Sequence, residues 1–349
     1  MASETHRRIV LAARPVGAPD ESNFRLIESE VPAPGPGEML LRTIYLSLDP
    51  YMRGRMNEGR SYAKPVEVGG VMEAGAVSAV VASNVAGFAP GDLVEGRTGW
   101  QTHSVSSGRG MRKLDPSLAP ISTALGVLGM PGMTAYTGLL NIGQPKPSET
   151  VAVAAASGAV GQVVGQIAKL KDCRVVGIAG GPKKCAFIKD ELGFDAAVDH
   201  KRPDLAGALA AACPKGIDVY FENVGGAVFD AVLPLLNNFA RVPVCGLISQ
   251  YNAAGPASGP DRLPQFMRAL LSNRYTFRGF IVSDFAAQHA DFQRDVGGWL
   301  REGRIKYRED FVDGIENAPR AFLGLLRGEN FGKLIVRVAA DPTHRSAAR

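Results

Sequence analysis

Cysteine is scarce in this sequence, and none precedes position 173. The four cysteines are Cys173, Cys185, Cys213 and Cys245. Their positions exclude a thiolate zinc site in the N-terminal part, and their wide spacing excludes a structural zinc site with four cysteine ligands. We therefore expect no bound metal. We also expect free thiols that serve as small apolar side chains in a protein of the reducing cytoplasm.

Other features are missing, and each absence narrows the function. No apolar run is long enough to cross a membrane without glycine, proline or polar interruptions, and the first residues lack the apolar core of a signal peptide. The net charge of +5 comes from scattered basic residues rather than from a block. No Gly-x-Ser-x-Gly motif marks a hydrolase nucleophile. We therefore expect neither a membrane nor a nucleic acid as a partner.

The segment 151–165 has the pattern of a buried strand, a tight turn of small residues and an amphipathic helix. A helix start placed after a strand offers backbone amides and a positive dipole end to a dinucleotide diphosphate. Gly158 and Gly161 match the dinucleotide-binding fingerprint, but Ala156 replaces its first glycine. A helix that merely packs on a sheet is therefore the alternative interpretation.

The end of the next predicted strand, 174–179, indicates which dinucleotide is bound. NAD-binding proteins of this type place an acidic residue there, which binds the ribose hydroxyls. This sequence has Gly180 and Gly181 instead, followed by Lys183 and Lys184. A glycine leaves room for a 2′-phosphate and a lysine supplies the opposite charge, so the pattern favours NADPH as the cofactor. The alternative is that the two lysines only form a solvated helix start.

Two patterns of secondary structure divide the chain. Residues 1–125 are rich in short strands and glycine turns, which predicts a small β-barrel. Residues 126–302 alternate strands with helices, which predicts an α/β fold with a doubly wound parallel sheet. A last strand within 303–349 is expected to return and complete the first domain. The predicted strands of the second domain are 151–155, 174–179, 196–199, 217–221, 241–246 and 277–282.

Six motifs resemble the zinc-free branch of the medium-chain dehydrogenase/reductase superfamily, and in particular its leukotriene hydroxydehydrogenase and prostaglandin reductase group. These motifs cover 46–56, 127–136, 155–161, 221–226, 244–252 and 328–333. The resemblance implies a GroES-like β-barrel catalytic domain and a Rossmann domain that binds NADP. It also implies a homodimer that forms through edge strands such as 275–282.

The resemblance assigns residues to the cofactor. Gly158, Ala159, Val160 and Gly161 are expected to hold the diphosphate, and Lys184 is expected to bind the 2′-phosphate beside Gly180. His200 stands where several relatives place a tyrosine against that phosphate. The other expected cofactor contacts are Asn223, Cys245, Gly246, Leu247, Ile248, Ser249, Gln250, Tyr251, Phe280, Ile281, Val282 and Asn330. For the two asparagines, a role as turn residues is the alternative.

The implied reaction is the reduction of the carbon–carbon double bond of an α,β-unsaturated ketone or aldehyde by NADPH. A hydride reaches the β-carbon, and the resulting enolate is then protonated. Tyr251 is the candidate donor to the carbonyl oxygen, with the nicotinamide ribose hydroxyl as a rival and simple packing as the alternative. Tyr51 and Tyr62 are candidate substrate contacts, although Tyr62 fits a surface loop equally well. Arg53 and Arg55 are expected to be structural ion-pair partners.

Two other functions remain open from the sequence. A quinone reductase on the same fold would use the same cofactor loops, so only a comparison of substrates separates it from an enone reductase. A protein that binds NADPH as a sensor, without turnover, would show binding but no oxidation of the cofactor. The Tyr251 loop argues mildly against the sensor, because it carries a group suited to proton transfer.

Overall fold

Strands account for most of the regular structure in the N-terminal third of the chain, and strands alternate with helices after it. The computed structural model describes residues 4–255 and 260–344. In these ranges the strands are β1 Thr5–Leu11, β2 Phe24–Glu30, β3 Met39–Ser47, β4 Gly75–Ser83, β5 Leu93–Arg97, β6 His103–Ser106, β7 Arg112–Lys113, β8 Thr150–Ala154, β9 Arg174–Ala179, β10 Ala196–Asp199, β11 Ile217–Phe221, β12 Leu236–Val244, β13 Thr276–Gly279, β14 Glu309–Asp313 and β15 Lys333–Arg337.

The α-helices range from four to 13 residues in length. In the same ranges the α-helices are α1 Met52–Arg55, α2 Met130–Thr137, α3 Gly161–Leu170, α4 Pro182–Ala186, α5 Leu205–Ala212, α6 Gly226–Val232, α7 Leu263–Asn273, α8 His289–Arg301 and α9 Ala318–Leu326. Short 3₁₀ segments at Ile248–Gln250 and Val282–Gln288 belong to the loops that follow β12 and β13.

The chain forms two compact units. The first contains the residues up to Leu125 together with those from Glu309 onward, and the second spans Gly126–Arg308. The sequence predicts that the chain returns to the first unit near residue 303, whereas the second unit extends to Arg308. Two buried glutamines of α3 explain the difference. The Gln166 side chain accepts from the Lys306 amide at 2.8 Å, and the Gln162 side chain accepts from the Arg308 amide at 2.9 Å.

A six-stranded parallel sheet forms the centre of the second unit. Its strands lie in the order β10-β9-β8-β11-β12-β13, so by position along the chain the order is 3-2-1-4-5-6. This is the strand order of the Rossmann fold, in which ligands bind outside the carboxyl ends of the strands. The central strand β8 is buried along its whole length, because helices cover both faces of such a sheet. The predicted doubly wound parallel sheet is therefore confirmed.

The last strand of this sheet ends earlier than the sequence predicts. The prediction of a strand over 277–282 is wrong at its end, since β13 stops at Gly279. The Ile281 amide donates to the Asp284 carboxylate at 3.0 Å, and the Asp284 amide donates to the Ile281 carbonyl at 2.9 Å. These two bonds turn the chain into a 3₁₀ segment. Phe280, Ile281 and Val282 therefore form a turn and a helix start, not a strand.

The first unit contains a seven-stranded sheet in which β3 is the central element. One edge of β3 pairs with β4, and the other is shared between β6 and β15. All pairs in this sheet are antiparallel except β14 with β15, and β1 and β2 form a separate ribbon. Trp100 is fully buried between the rings of Phe24 and Phe322, at centroid distances of 5.7 and 5.6 Å. This aromatic core matches the predicted β domain.

Candidate functional site

The turn between β8 and α3 is shaped by close contacts of the backbone. A Cβ on Gly161 would lie 2.4 Å from the Ala155 carbonyl oxygen, so only glycine fits there. Ala155 itself has a positive φ of 49°, which is rare for a residue with a side chain. A Cβ on Gly165 would lie 1.9 Å from the Phe194 ring, so this glycine lets α3 pack closely on its neighbours. The glycines at 161 and 165 are required by this geometry.

The start of α3 presents backbone amides at the carboxyl end of β8. The Gln162 amide donates to the Gly158 carbonyl at 3.0 Å, and the Val164 amide donates to Val160 at 3.1 Å. The Gly158 amide donates to the Ala155 carbonyl at 2.9 Å. The amides of Ala159, Val160 and Gly161 lie at the helix start, where backbone amides have no intrahelical partner. With the positive end of the helix dipole, they form a site suited to a diphosphate.

The loop after β9 brings basic side chains around Gly180. A Cβ on Gly180 would lie 2.8 Å from Nε2 of His200 and 3.4 Å from Cε of Lys201, so both side chains face this glycine. Lys184 is the third residue of α4 and lies close enough to His200 to lower the pKa of the imidazole. The sequence predicts Lys184 and His200 here but misses Lys201, whose only signal is its position after the end of β10.

Asp199 anchors this loop through the backbone. Its carboxylate accepts from the Gly181 amide at 2.8 Å and from the Lys201 amide at 2.9 Å, and these bonds hold the pKa of the carboxyl below its usual value. The pKa of His200 is also lowered, first by desolvation of the packed side of the ring and then by Lys201 and Lys184, while Asp199 opposes the shift. In the protein without ligand the imidazole is therefore neutral near pH 7.

The loops after β11 and β12 are joined by main-chain hydrogen bonds. The Ile248 amide donates to the Asn223 carbonyl at 3.2 Å, and the Ser249 amide donates to the Val224 carbonyl at 3.0 Å. The Asn223 side chain donates to the Ala154 carbonyl at 2.8 Å, at the end of the central strand. Asn223 thus links three strand ends, and the loop that carries Tyr251 is held against them.

Tyr251 folds back over its own loop. Its phenol oxygen accepts from the Leu247 amide at 3.3 Å, and a Cβ on Gly246 would lie 3.0 Å from the same oxygen. A phenol that accepts through its oxygen still has a proton to donate. The glycine at 246 thus lets the phenol lie directly against the backbone of this loop.

Glu222 is a buried carboxyl that the sequence analysis misses. Its Oε1 accepts from the amides of Val224 at 2.6 Å and Gly225 at 2.9 Å and from the Tyr220 hydroxyl at 3.0 Å. Burial raises its pKa, and the amide and hydroxyl donors oppose that shift. The neighbouring Cys245 thiol has its pKa raised to about 12 by burial and then by Glu222, so this cysteine is a thiol near pH 7. Glu222 fixes the turn from which Asn223 projects.

The remaining predicted cofactor contacts of the second unit lie at the same strand ends. Gly246, Leu247, Ile248, Ser249 and Gln250 form the loop described above. Phe280 is buried, and its ring packs against Phe221 at a centroid distance of 6.4 Å. Ile281 and Val282 follow it in the turn after β13. The cofactor residues that the sequence predicts within this unit therefore all follow the carboxyl end of a strand. His200 follows β10, and the others follow β8, β9, β11, β12 or β13.

Three predicted site residues belong to the first unit. The Asn330 side chain donates to the Gly332 carbonyl at 2.8 Å, and the neighbouring Phe331 amide donates to the Asp310 carboxylate at 3.0 Å. Tyr51 follows β3 and lies mostly buried, and burial is the first cause of the rise in its pKa. Tyr62 lies in the loop after α1 with 59% of its surface exposed. The rings of Tyr51 and Tyr62 both face the Arg55 guanidinium.

A buried ion pair ties the end of β3 to the start of β15. The Lys333 ammonium donates to the Asp49 carboxylate at 2.7 Å and to the Leu48 carbonyl at 2.8 Å, and the Ser47 hydroxyl donates to the same carboxylate. Burial lowers the pKa of Lys333, while Asp49 and then Glu309 oppose the shift. The two residues are 284 positions apart, so no spacing in the sequence points to the pair.

Across residues 4–255 and 260–344, no group of three or more His, Cys, Asp or Glu side chains is arranged to hold a metal ion. Over the same part of the chain, no helix combines the length and the apolar character that a membrane span requires.

Comparison with known families identifies both units. Residues 7–114 match the family model described as the N-terminal domain of oxidoreductase. Residues 159–298 match the family model described as zinc-binding dehydrogenase.

Individual proteins match over nearly the whole chain. The sequence is 57% identical over 339 residues to the NADPH-dependent curcumin reductase of Escherichia coli (strain K12), with 97% of this chain and 98% of that protein covered. It is 44% identical over 326 residues to prostaglandin reductase 1 of Rattus norvegicus, covering 92% and 95% of the two chains. The crystal structure of CurA from Vibrio vulnificus in complex with NADPH superimposes with a TM-score of 0.93 at 56% identity, covering 96% of this chain and 100% of that one.

Proposed function

The chain belongs to the zinc-independent medium-chain dehydrogenase/reductase family, and from this membership we propose that it uses NADPH to reduce the carbon–carbon double bond of enones. Its fold combines a Rossmann unit with a GroES-like unit. The observation that carries the proposal is the set of loops at the carboxyl ends of the Rossmann strands. These loops carry a helix start, the basic side chains near Gly180 and the Tyr251 phenol.

The residues present fit a phosphorylated dinucleotide. The absence of a side chain at Gly161 lets the start of α3 pack directly on the backbone of Ala155 and Ala156. The amides of Ala159 and Val160 at this helix start are the proposed contacts of a diphosphate. His200 and Lys201 face Gly180, and Lys184 lies near His200, so a 2′-phosphate bound there would gain two cationic partners and a ring nitrogen. We assign Asn223 and the 245–251 loop to the nicotinamide end, because they lie at the central and neighbouring strand ends.

When bound, NADPH supplies the hydride that is added to the β-carbon of the enone. The protein must then stabilise the negative charge that develops on the carbonyl oxygen and provide a proton for the enolate. We propose that the Tyr251 phenol donates to that oxygen, since its loop holds the hydroxyl at the strand ends. The rival donor is the nicotinamide ribose hydroxyl, which would leave Tyr251 with a packing role.

Two residues of the first unit are proposed to contact the substrate. Tyr51 is a neutral phenol whose pKa is raised by burial and then by Asp49, so it can donate a hydrogen bond throughout the physiological pH range. Tyr62 exposes an aromatic face on a neighbouring loop. Asn330, whose amide is fixed by the Gly332 carbonyl, keeps its proposed role as a cofactor contact.

The test of the function is NADPH consumption across a panel of enones, alkenals and quinones, with the products identified by mass spectrometry. We expect loss of reduced nicotinamide absorbance with enones and alkenals and a product two hydrogens heavier than the substrate. Rapid turnover of quinones alone would replace the proposal with a quinone reductase. Tight NADPH binding without any turnover would replace it with a sensor.

We further propose that the protein acts as a homodimer in the cytoplasm. The strand β13 ends the parallel sheet and offers its edge to a second copy. Beside it, α7 packs through Phe266 on Phe277 and exposes Leu263, Met267 and Leu271 at a four-residue spacing. All four cysteines are free thiols, which suits a reducing compartment.

Light scattering during gel filtration tests the dimer. We expect the Leu271→Lys variant to elute as a monomer at concentrations where the parent is a dimer. Leu118→Lys is the matched control, because Leu118 is similarly exposed but lies in the other unit. A monomeric parent, or an equal effect of both substitutions, would contradict this interface.

A further inference from the structure

The loop 56–66 is fixed at both of its ends. The Arg14 guanidinium donates to the Met56 carbonyl at 3.1 Å and to the Val66 carbonyl at 3.0 Å, and its Nε donates to Glu58 at 2.8 Å. The Val66 amide also donates to the Arg55 carbonyl at 2.8 Å. The ends of this loop are therefore close together and bonded to a common partner, as in a compact surface loop.

Arg55 stands inside this arrangement with its guanidinium oriented. Only 3% of its side chain is exposed, and its Nε donates to the Glu73 carboxylate at 2.8 Å. The second oxygen of Glu73 lies 3.8 Å from Arg97, so the carboxylate is itself held from the other side. The predicted ion-pair role of Arg55 is confirmed. A buried, planar cation that is held at one edge presents its faces to its neighbours.

Two tyrosines face that cation. The guanidinium carbon lies 4.3 Å from the centre of the Tyr62 ring and 5.5 Å from the centre of the Tyr51 ring, both within the range of cation–π attraction. Tyr51 is mostly buried, whereas Tyr62 keeps 59% of its surface exposed. The contact with Arg55 thus fixes a solvent-exposed aromatic ring that would otherwise be free to move on its loop.

We propose that Arg55 is a positioning residue that sets the Tyr62 ring as a docking face for enones that carry an aryl group. Arg55 does not touch the substrate itself. A flat aryl ring gains contact area and stacking by lying on the exposed face of Tyr62, and a small alkyl group gains little of either. Arg55 therefore determines the selectivity between aryl and alkyl enones. This inference rests on the proposed function, because it takes the enone as the substrate.

The test compares two substrates that differ in one group, benzylideneacetone with a phenyl ring and ethylideneacetone with a methyl group. In Arg55→Lys the charge beside Glu73 is kept but the planar stack is lost. We expect the ratio of kcat/KM for the phenyl substrate over the methyl substrate to fall about fivefold, mainly through the KM of the phenyl substrate. Tyr62→Leu should lower the same ratio, and Tyr62→Phe is the control that keeps the ring and the ratio.

Two further measurements separate positioning from general stability. The double variant Arg55→Lys/Tyr62→Leu should lose no more selectivity than Tyr62→Leu alone, because Arg55 acts through that ring. Trypsin should cut the 56–66 loop faster after Arg60 in Arg55→Lys than in the parent, whereas the Lys64–Pro65 bond resists trypsin in both. If Arg55→Lys does not fold, Glu73→Gln, which weakens the orientation of the guanidinium, should lower the ratio in the same direction.

The outcomes distinguish this inference from the function on which it rests. Parent protein that reduces both enones, with an unchanged ratio in Arg55→Lys or with additive effects in the double variant, overturns the role of Arg55 alone. Parent protein that oxidises no NADPH with either enone overturns the proposed function instead.

Discussion

The strand-end loops of the Rossmann unit and the tyrosine region of the GroES-like unit are built from different parts of the chain. In the Rossmann unit the shape comes from the backbone, as at Gly161, where no Cβ fits, and at the amides of Ile248 and Ser249, which donate to main-chain carbonyls of the neighbouring loop. In the GroES-like unit it comes from buried charges, as in the Lys333–Asp49 and Arg55–Glu73 pairs. The shape of the first region therefore depends on the path of the main chain, and the shape of the second depends on the pairing of charged side chains.

This difference predicts different responses to substitution. A turn shaped by the backbone keeps its fold with changed side chains at most positions and is disrupted where a Cβ must enter. A site built on buried ion pairs fails when either partner is removed, because the remaining charge has no compensation. The following experiments test that contrast, in order of decreasing expected effect.

The largest effect is expected at the buried pair of Lys333 and Asp49. Lys333→Met leaves the Asp49 carboxylate buried without its cation, and we expect a loss of about 3–5 kcal/mol in the free energy of unfolding by urea. The double variant Lys333→Met/Asp49→Leu removes both charges and should recover most of that loss. A double variant no more stable than Lys333→Met would show that the pair does not act through its charges.

The backbone counterpart is Gly161→Ala. Its Cβ would lie 2.4 Å from the Ala155 carbonyl oxygen, so the turn must move. We expect a loss of about 3 kcal/mol in unfolding free energy and a clear loss of NADPH affinity by fluorescence titration. Gly298→Ala is the matched control, since nothing lies within 4 Å of its Cβ in α8. That control should gain about 0.5–1 kcal/mol, and an equal response of both would contradict the argument.

Tyr251→Phe removes the phenol from the Rossmann unit without changing the ring. If this hydroxyl donates to the carbonyl oxygen, kcat should fall on the order of 100-fold while the Kd for NADPH changes little. Stopped-flow single-turnover experiments separate the chemical step from cofactor binding. Unchanged kcat would assign the donor role to the ribose hydroxyl and leave Tyr251 as a packing residue.

Charge reversal at the basic pocket should discriminate between the two nicotinamide cofactors. Lys184→Glu places a carboxylate near a 2′-phosphate, and we expect the Kd for NADPH to rise by about tenfold or more with little change for NADH. Isothermal titration with both cofactors provides the measurement. Lys183→Glu is the neighbouring control and should have a small effect, because Lys183 is exposed. Equal weakening of NADPH and NADH would remove Lys184 from the phosphate site.

The smallest effect concerns pH and His200. Its pKa is lowered in the free protein, and a bound phosphate dianion would favour the imidazolium and raise that pKa. Binding then takes up a proton, so the affinity for NADPH should increase a few-fold as pH falls from about 8 to about 6.5. NADH affinity should not follow this trend. The His200→Asn variant should flatten the pH dependence of NADPH affinity, and an unaltered dependence would contradict the role of the imidazole.

Local patterns were sufficient to predict most of the Rossmann unit. The bounds of β9, β10 and β11 agree with the predicted 174–179, 196–199 and 217–221, because continuous apolar runs between turn residues mark buried parallel strands. The predicted end of β13 was wrong, because a single carboxylate, that of Asp284, accepts from the Ile281 amide and turns the chain there. A capping bond of that kind leaves no trace in hydrophobic periodicity.

The charged centres of the GroES-like unit were less accessible to sequence reasoning. Lys333 and Asp49 are far apart in the chain, so no spacing rule connects them. Arg55 was expected to form an ion pair, but its position between two tyrosine rings depends on the fold of the loop 56–66. Lys201 was missed for the same reason, since it faces a glycine that another segment contributes. Glu222 was missed because its burial depends on the fold, although the amides that it binds lie only two and three residues further along the chain.

The hydrogen bonds from Arg14 to the carbonyls of Met56 and Val66 bear on how far the loop between these two residues can vary in length. Because both ends of the segment are fastened to one side chain through main-chain carbonyls, residues 57–65 can be lengthened or shortened while the strands and helix on either side stay in register. The entropic cost of doubling such a loop is only about 0.6 kcal/mol. The loop 56–66, which carries Tyr62, can thus be replaced by a segment of another sequence or length while the rest of the first unit is unchanged.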